Sequence, residues 1–331
     1  MNGQTISMNS PTAAQTSTNA IELRSVSKKF GDITAVNALT LEVRKGEMFA
    51  LVGPDGAGKT TTIRMLCGIT VPSEGELFVL GYDLRKEPEE VRKRIGYLSQ
   101  KFSLYGDLTV DENIEFFAEI HGVRDYKPRR NELLEFTRLT QFRSRLADKL
   151  SGGMKQKLAL ACTLVHTPEV IFLDEPTTGV DPVSRRDFWK VLSNLLKSGI
   201  TIVMTTPYLD EAERCTHVAL MNQGSILIAD TPPNVKKVMK GTIVEIVCSE
   251  IRASFKLLRQ FPLLREVQAF GDRLNIVVDN ADLDVPKVLA HLAENGIAVT
   301  DWRTIPPSLE NVFISLLSDL PSQKESEVTA P

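Results

Sequence analysis

MFALVGPDGAGKTTTIRML, residues Met48 to Leu66, sets an unbroken apolar run against a glycine-rich turn and then a helix-forming segment. A short apolar run without alternation marks a strand buried on both faces. The turn carries Gly53, Gly58, Lys59 and Thr60 in the spacing G-x-x-x-x-G-K-T, between strand and helix, where a phosphate-binding loop belongs. Its glycines let backbone N–H groups turn inward on a phosphate, and the helix N-terminus adds partial positive charge. Lys59 is then placed to neutralise phosphate oxygens and the Thr60 hydroxyl to bind Mg²⁺. Pro54, Asp55, Gly56, Ala57 and Thr61 complete the expected cradle.

Outward from this loop, VIFLDEP (Val170 to Pro176) and TIVMTT (Thr201 to Thr206) are further continuous apolar runs, each followed by helical sequence. Buried strands alternating with helices imply an α/β fold built on a largely parallel sheet covered on both sides. Asp174 closes one of these strands, from where it would reach the Mg²⁺ through a water. Glu175 follows it and can orient an attacking water and accept its proton. IELRSVSKKF (Ile21 to Phe30) and ALTLEVRKGE (Ala38 to Glu47) alternate with period two, as half-exposed strands do. Between Leu104 and Leu146 the pattern turns helical, with Thr109 and Glu112 spaced as a capping box.

Bulk properties bound the function. A chain of 331 residues holds one large domain and a smaller one. A net charge of −3 provides no global basic field for nucleic acid or an anionic membrane. No apolar run has membrane-spanning length. Residues 1–19 are rich in Ser, Thr, Asn and Gln, lack the blocks of a signal peptide, and are expected to be disordered. Cys67, Cys162, Cys215 and Cys248 form no CxxC pair, which points to reduced, buried thiols.

LSGGMKQKLAL, from Leu150, adds a second phosphate-binding element. Ser151, Gly152 and Gly153 open a helix whose glycines would leave its N–H groups bare to an approaching phosphate. A chain with its own phosphate loop does not need this helix for the same nucleotide. A dimer in which it covers the other protomer's ATP resolves the duplication. With the order phosphate loop, LSGG, acidic strand, residues 21–233 resemble the nucleotide-binding subunits of ATP-binding-cassette (ABC) transporters. That resemblance implies a P-loop ATPase domain over residues 20–236 and a helical subdomain over about 104–149. It implies ATP and Mg²⁺ as cofactors, and Lys59, Gln100 and Glu175 as catalytic groups. Thr60, Gln100 and Asp174 would surround the metal, Phe30 would stack on adenine, and Asp181 would sit in a dimer-contact loop. The implied partners are an integral membrane permease and a second ATPase subunit, identical or related, at the cytoplasmic face of the inner or cell membrane.

One position departs from the family. Where a histidine is expected after TIVMTT, this chain reads Thr205-Thr206-Pro207-Tyr208. Pro207 fits the first turn of a helix with Thr206 as its N-cap. Either hydrolysis proceeds through Glu175 and the metal ligands, with Thr206 or a water replacing the imidazole, or the site is slow and clamps ATP. A soluble ATPase and a nucleotide-gated regulator are the alternative readings. His217, in the strand-like HVALM, reads as a core or edge histidine.

From Gly241 the order is β-α-β-β-α-β, which suggests a small ferredoxin-like α+β domain over residues 241–318. Gly271-Asp272 supplies its hairpin turn. SLENVFISLL puts Leu309, Val312, Phe313, Leu316 and Leu317 on one helical face. PPSLENVF (Pro306 to Phe313) resembles the ending of drug- and lipid-exporter ATPases, which implies export. Residues 319–331 are expected to be a disordered tail.

Overall fold

The computed structural model describes residues 18–101 and 104–318. The polar segments expected to be disordered at either end lie outside these, apart from residues 18 and 19, where the first strand begins. The chain opens with β1 (Asn19–Phe30), β2 (Ile33–Arg44), β3 (Met48–Val52) and α1 (Lys59–Leu66). Then come β4 (Glu74–Val79), β5 (Tyr82–Asp83), α2 (Pro88–Arg92), β6 (Ile95–Leu98), α3 (Val110–Ile120) and α4 (Lys127–Thr137). α5 (Gly152–Leu164), β7 (Val170–Asp174), α6 (Pro182–Lys197), β8 (Thr201–Thr206) and α7 (Leu209–Ala212) follow. β9 (His217–Asn222), β10 (Ser225–Asp230) and α8 (Pro232–Lys236) lead into β11 (Thr242–Cys248), α9 (Ile251–Leu258), β12 (Glu266–Phe270) and β13 (Arg273–Val278). α10 (Ala281–Glu294), β14 (Val299–Ile305) and α11 (Leu309–Ser318) end the described chain. It forms two compact units, one ending at Leu227 and one beginning at Ile228. No helix among the described residues is long and apolar enough to cross a membrane.

Two sheets build the first unit. β2-β1-β4-β5 is antiparallel and half exposed, as its alternating sequence requires. The second sheet has the order β10-β9-β3-β8-β7-β6, with β9, β3, β8, β7 and β6 parallel to one another. β3, β7 and β8 are buried at every residue, which is what their unbroken apolar sequences demand. Ile21 and Leu23 of β1, Ile63 and Met65 of α1, and Phe172 of β7 share one core cluster, each at most 1% exposed. Truncating any of these side chains to alanine would cost about 2–5 kcal/mol. Because the strands are parallel, the C-terminal ends of β3, β7 and β8 leave the sheet on the same side, where open α/β sheets bind ligands.

The helical segment is fastened by polar groups. Thr109 and Glu112 form the capping box that their spacing predicts. The buried Asn113 amide donates to the carbonyls of Tyr105, Leu108 and Thr109 and accepts from the Tyr105 N–H, fixing the loop before α3. Asp111 pairs with Arg130 and Arg143, joining α3 to α4 and the segment after it. At the ends of α3 and α5 the rings of His121 and His166 stack 3.9 Å apart.

In the second unit the sheet order is β12-β13-β11-β14, with every neighbouring pair antiparallel, the ferredoxin-like arrangement its sequence predicts. Gly271 has φ +57° in the turn between β12 and β13. The final helix differs from its apolar pattern: Leu309 and Val312 are buried, but Phe313, Leu316 and Leu317 are only half buried. The buried group between them is polar. Asn311 donates its amide to Gln268 Oε1 at 2.7 Å, and its Oδ1 accepts from Ser308 N–H and Oγ. The asparagine of SLENVF therefore pins α11 to β12 by a directional contact that apolar packing alone would not give.

Burial, and then the neighbouring His121 ring, push the His166 imidazole down from 6.5 to about 4. The unfolded chain therefore takes up this proton first, so the contribution of neutral His166 to stability is intact above about pH 6.5 and lost as pH falls toward 4. Thermal unfolding of the wild type should fall more steeply over that window than unfolding of His166→Phe. Equal slopes would show that the histidine stack is not the titrating element.

Candidate functional site

Three strand ends and one helix N-terminus converge on a single cleft of about 620 Å³. Its lining includes Asp55, Gly56, Ala57, Gly58, Lys59, Thr60 and Thr61 from the loop, together with Gln100 and Glu175. The loop conformation follows from its glycines. Gly58 has φ +97°, and a Cβ there would lie 2.5 Å from the Ala35 carbonyl oxygen. At Gly53 the limit is contact, since a Cβ would lie 2.2 Å from the Met221 carbonyl oxygen. Pro54 stands exposed beside Asp55 on the outer turn.

Lys59 is buried, and its ammonium donates to the carbonyls of Gly53 at 2.7 Å and Pro54 at 3.0 Å. It also lies 3.5 Å from Glu175 Oε1, an ion pair shielded from water on both sides. Glu175 Oε2 accepts from the Gln100 amide at 3.0 Å and from Thr178 Oγ1 at 3.3 Å. Glu175 has φ +49°, the left-handed region that costs a non-glycine residue on the order of 1–3 kcal/mol. Its N–H donates to Thr205 Oγ1 at 2.9 Å, so β8 holds the strained backbone in place.

Asp174 is 1% exposed at the end of β7. Its Oδ1 accepts from Thr60 Oγ1 at 2.9 Å and from Thr205 Oγ1 at 2.7 Å. Its Oδ2 is buried and has no hydrogen-bond partner among the described residues. A buried carboxylate oxygen left over beside the Thr60 hydroxyl, which lines the same cleft as the Gln100 amide, belongs to an oxygen-rich set that fits a hard divalent cation such as Mg²⁺.

Other expected residues lie apart from this cleft. Phe30 is 51% exposed at the end of β1, with the Lys28 ammonium 4.8 Å from its ring centroid, leaving one ring face open. Ser151 and Gly152 are exposed at the start of α5 and do not line the cleft of their own chain. Two details there differ from expectation. Ser151 is itself the N-cap, its hydroxyl accepting from the Met154 N–H at 3.4 Å. Gly153 is buried rather than bare: a Cβ would lie 2.3 Å from the Ser184 side chain, so this glycine serves packing against α6. Asp181 caps α6, accepting from the N–H groups of Val183 and Ser184.

The segment after β8 corrects a further expectation. Pro207 does not begin a helix; α7 starts at Leu209 with Tyr208 as its N-cap position. Thr206 Oγ1 instead accepts from the Tyr208 N–H at 3.0 Å and donates to Glu211 Oε2 at 3.0 Å. With its hydroxyl used inside the chain and its side chain fully buried, Thr206 cannot stand in for the missing imidazole. Glu211 also accepts from Thr177 Oγ1 at 2.6 Å and lies 3.4 Å from Arg185. Arg185 in turn lies 4.7 Å from the Tyr208 ring. His217 opens β9 with Nδ1 2.9 Å from Glu47, away from the cleft lining. Sequence reading passed over Thr205 and Glu211. Only the second carries a signal, an acid in the first turn of a helix directly after a buried strand.

Residues 36–178 match the ABC transporter family, and residues 231–317 match the C-terminal domain of DrrA1-3-like ATP-binding proteins. The chain is 32% identical over 318 residues to the daunorubicin resistance ATP-binding protein DrrA2 of Streptomyces coeruleorubidus, covering 94% of this chain and 99% of that protein. It is 43% identical over 218 residues to the probable multidrug ABC transporter ATP-binding protein YbhF of Escherichia coli K12. That match covers 65% of this chain and only 38% of YbhF. A solved ATP-binding subunit of an ABC transporter is 29% identical with a TM-score of 0.60, covering 66% of this chain and 92% of that one. A dimeric ATP-binding cassette in a post-hydrolysis state, bound to ADP and Pi, is 27% identical with a TM-score of 0.58. It covers 64% of this chain and 98% of its own.

Thr205→Val keeps the shape of the side chain but removes two buried hydrogen bonds, leaving Asp174 Oδ1 with Thr60 alone and the Glu175 N–H with only the Thr205 carbonyl at 3.2 Å. The variant should lose about 1–3 kcal/mol in denaturant unfolding. A loss below a few tenths would show that Thr205 does not support the site.

Proposed function

This chain belongs to the ATP-binding proteins of the ABC transporter family, and we propose that it binds and hydrolyses ATP to drive export through a membrane permease. One observation carries the hydrolytic reading: Asp174 and Glu175, adjacent in sequence, are set apart in role by their contacts. Asp174 is fixed by Thr60 and Thr205 with one oxygen to spare. Glu175 points into the cleft beside Lys59 and Gln100.

A phosphate chain entering the cleft competes with the Gly53 and Pro54 carbonyls and with Glu175 for the Lys59 ammonium. As Lys59 turns to phosphate oxygens, Glu175 loses its ion partner and becomes free to orient a water and take its proton. Mg²⁺ held by Thr60, Gln100 and, through water, Asp174 would neutralise charge on the phosphates. The loop N–H groups and the α1 N-terminus cradle the β-phosphate. Phe30 offers its open ring face to adenine. Ser151 and Gly152 act on the nucleotide of a second subunit, identical or related, because they are exposed and do not line the cleft of their own chain, while Gly153 seats their helix against α6. The helical segment over 104–149 faces the permease. No residue at position 207 contributes a polar group to the γ-phosphate, and Thr206 is already engaged, so turnover rests on Glu175 and Gln100. Export, rather than import, is supported by the 32% identity to a drug-resistance ATP-binding protein along nearly its full length.

Glu175→Gln should lower steady-state ATPase by roughly 10²–10⁴-fold and let an ATP-bound dimer accumulate, read by size-exclusion light scattering. A wild type without turnover, with and without its permease, would end the hydrolase reading. Pro207→His should raise the wild-type rate by restoring a γ-phosphate contact. An unchanged rate would mean that position 207 is not limiting.

A further inference from the structure

β14 is an edge strand of the second unit, paired only with β11. Residues 300–304 along it are exposed, so its outer side is uncovered. An open edge of seven residues with no proline is a template for another strand, and proteins normally blunt such edges. This one carries a pattern that favours a specific guest. Its sequence, Val299-Thr300-Asp301-Trp302-Arg303-Thr304-Ile305, is self-complementary when read antiparallel about Trp302. Asp301 then stands opposite Arg303 of the other strand, and Arg303 opposite Asp301. Thr300 meets Thr304, Val299 meets Ile305, and Trp302 meets its own copy. Directly opposed residues in antiparallel strands have Cβ atoms about 4.5–5.5 Å apart, within reach of both ion pairs and ring contact.

The charges on this face support the same guest. Glu245, on β11, accepts from both Arg273 and Arg303 at 2.8 Å, so Arg303 shares its carboxylate with Arg273, which also lies 3.6 Å from Asp272. Asp301 has no ion-pair partner among the described residues. A second copy would bring its Asp301 to Arg303, whose partner carboxylate is shared, and set its own Arg303 against the unpaired Asp301. Trp302, 44% exposed, borders an open groove lined by Leu289, Ala293, Ile297 and Val299, so apolar surface flanks the ion pairs. The opposite edge of the sheet lacks this symmetry. β12 reads Glu266-Val267-Gln268-Ala269-Phe270, which would oppose an acid to a phenylalanine, and Gln268 is already committed to Asn311.

We propose that β14 is a docking edge for β14 of a second copy of this chain, joining two C-terminal units into one continuous antiparallel sheet. This contact is independent of nucleotide and of the site on the first unit. Sedimentation velocity of the full chain without nucleotide or Mg²⁺ therefore tests it apart from any ATP-driven closure. The wild type should self-associate under those conditions. Asp301→Arg, which sets like charges opposite one another twice, should weaken the association by roughly tenfold or more. Combining it with Arg303→Asp restores opposite charges across the seam and should recover the dimer. Trp302→Cys should form an intermolecular disulfide under mild oxidation, since the four native cysteines are buried. A wild type that stays monomeric without nucleotide would overturn the proposal. So would a doubly reversed variant that unfolds at the wild-type temperature yet stays monomeric, or Trp302→Cys cross-linking to a different protein and not to itself.

Discussion

The carboxylate of Asp174 is the joint on which the site depends. One of its oxygens is shared by Thr60, at the start of α1, and Thr205, near the end of β8. Three segments far apart in sequence are thereby drawn to one point, and the other oxygen stays available. The joint works because β7 lies beside β8, and β8 beside β3, in parallel register. A reversed strand or a slipped register would carry one of the three groups to the far end of the sheet. Complete burial of these strands is thus the structural condition for the chemistry, and their apolar sequences are its cause.

Glu175 shows how the same joint holds strain. Its left-handed backbone would relax if nothing held it, yet its N–H is caught by Thr205 and its carboxylate by Gln100, Thr178 and Lys59. Replacing one partner of a buried, hydrogen-bonded ion pair leaves an uncompensated charge, which costs more than the pair itself contributes. The acid is therefore held in place by its neighbours and not by its own conformational preference.

Much of this was legible in the sequence, because local periodicity reports burial directly. Unbroken apolar runs marked the strands, the spacing of Gly53, Gly58, Lys59 and Thr60 marked the loop, and the β-α-β-β-α-β order marked the second unit. What escaped depended on partners distant in sequence. Nothing near Thr206 indicates that its hydroxyl is consumed by Glu211, so its use as a substitute for an imidazole looked open. Nothing in LSGG distinguishes a glycine kept bare from one pressed against another helix. In SLENVF the apolar stripe was readable, but the buried asparagine at its centre matters because Gln268, on another strand, faces it.

Gly153 has one more implication. The missing methyl group at that position is what allows α5 to lie against Ser184, so the first turns of α5 and α6 form one solid corner. Ser151 and Asp181 sit at the two tips of that corner. Over evolutionary time the two tips are therefore not free to drift separately. A lineage that acquired a bulkier residue at 184 would shift the serine-bearing tip without touching its motif, and compensation would have to arise in a part of the chain that shows no sequence likeness to it.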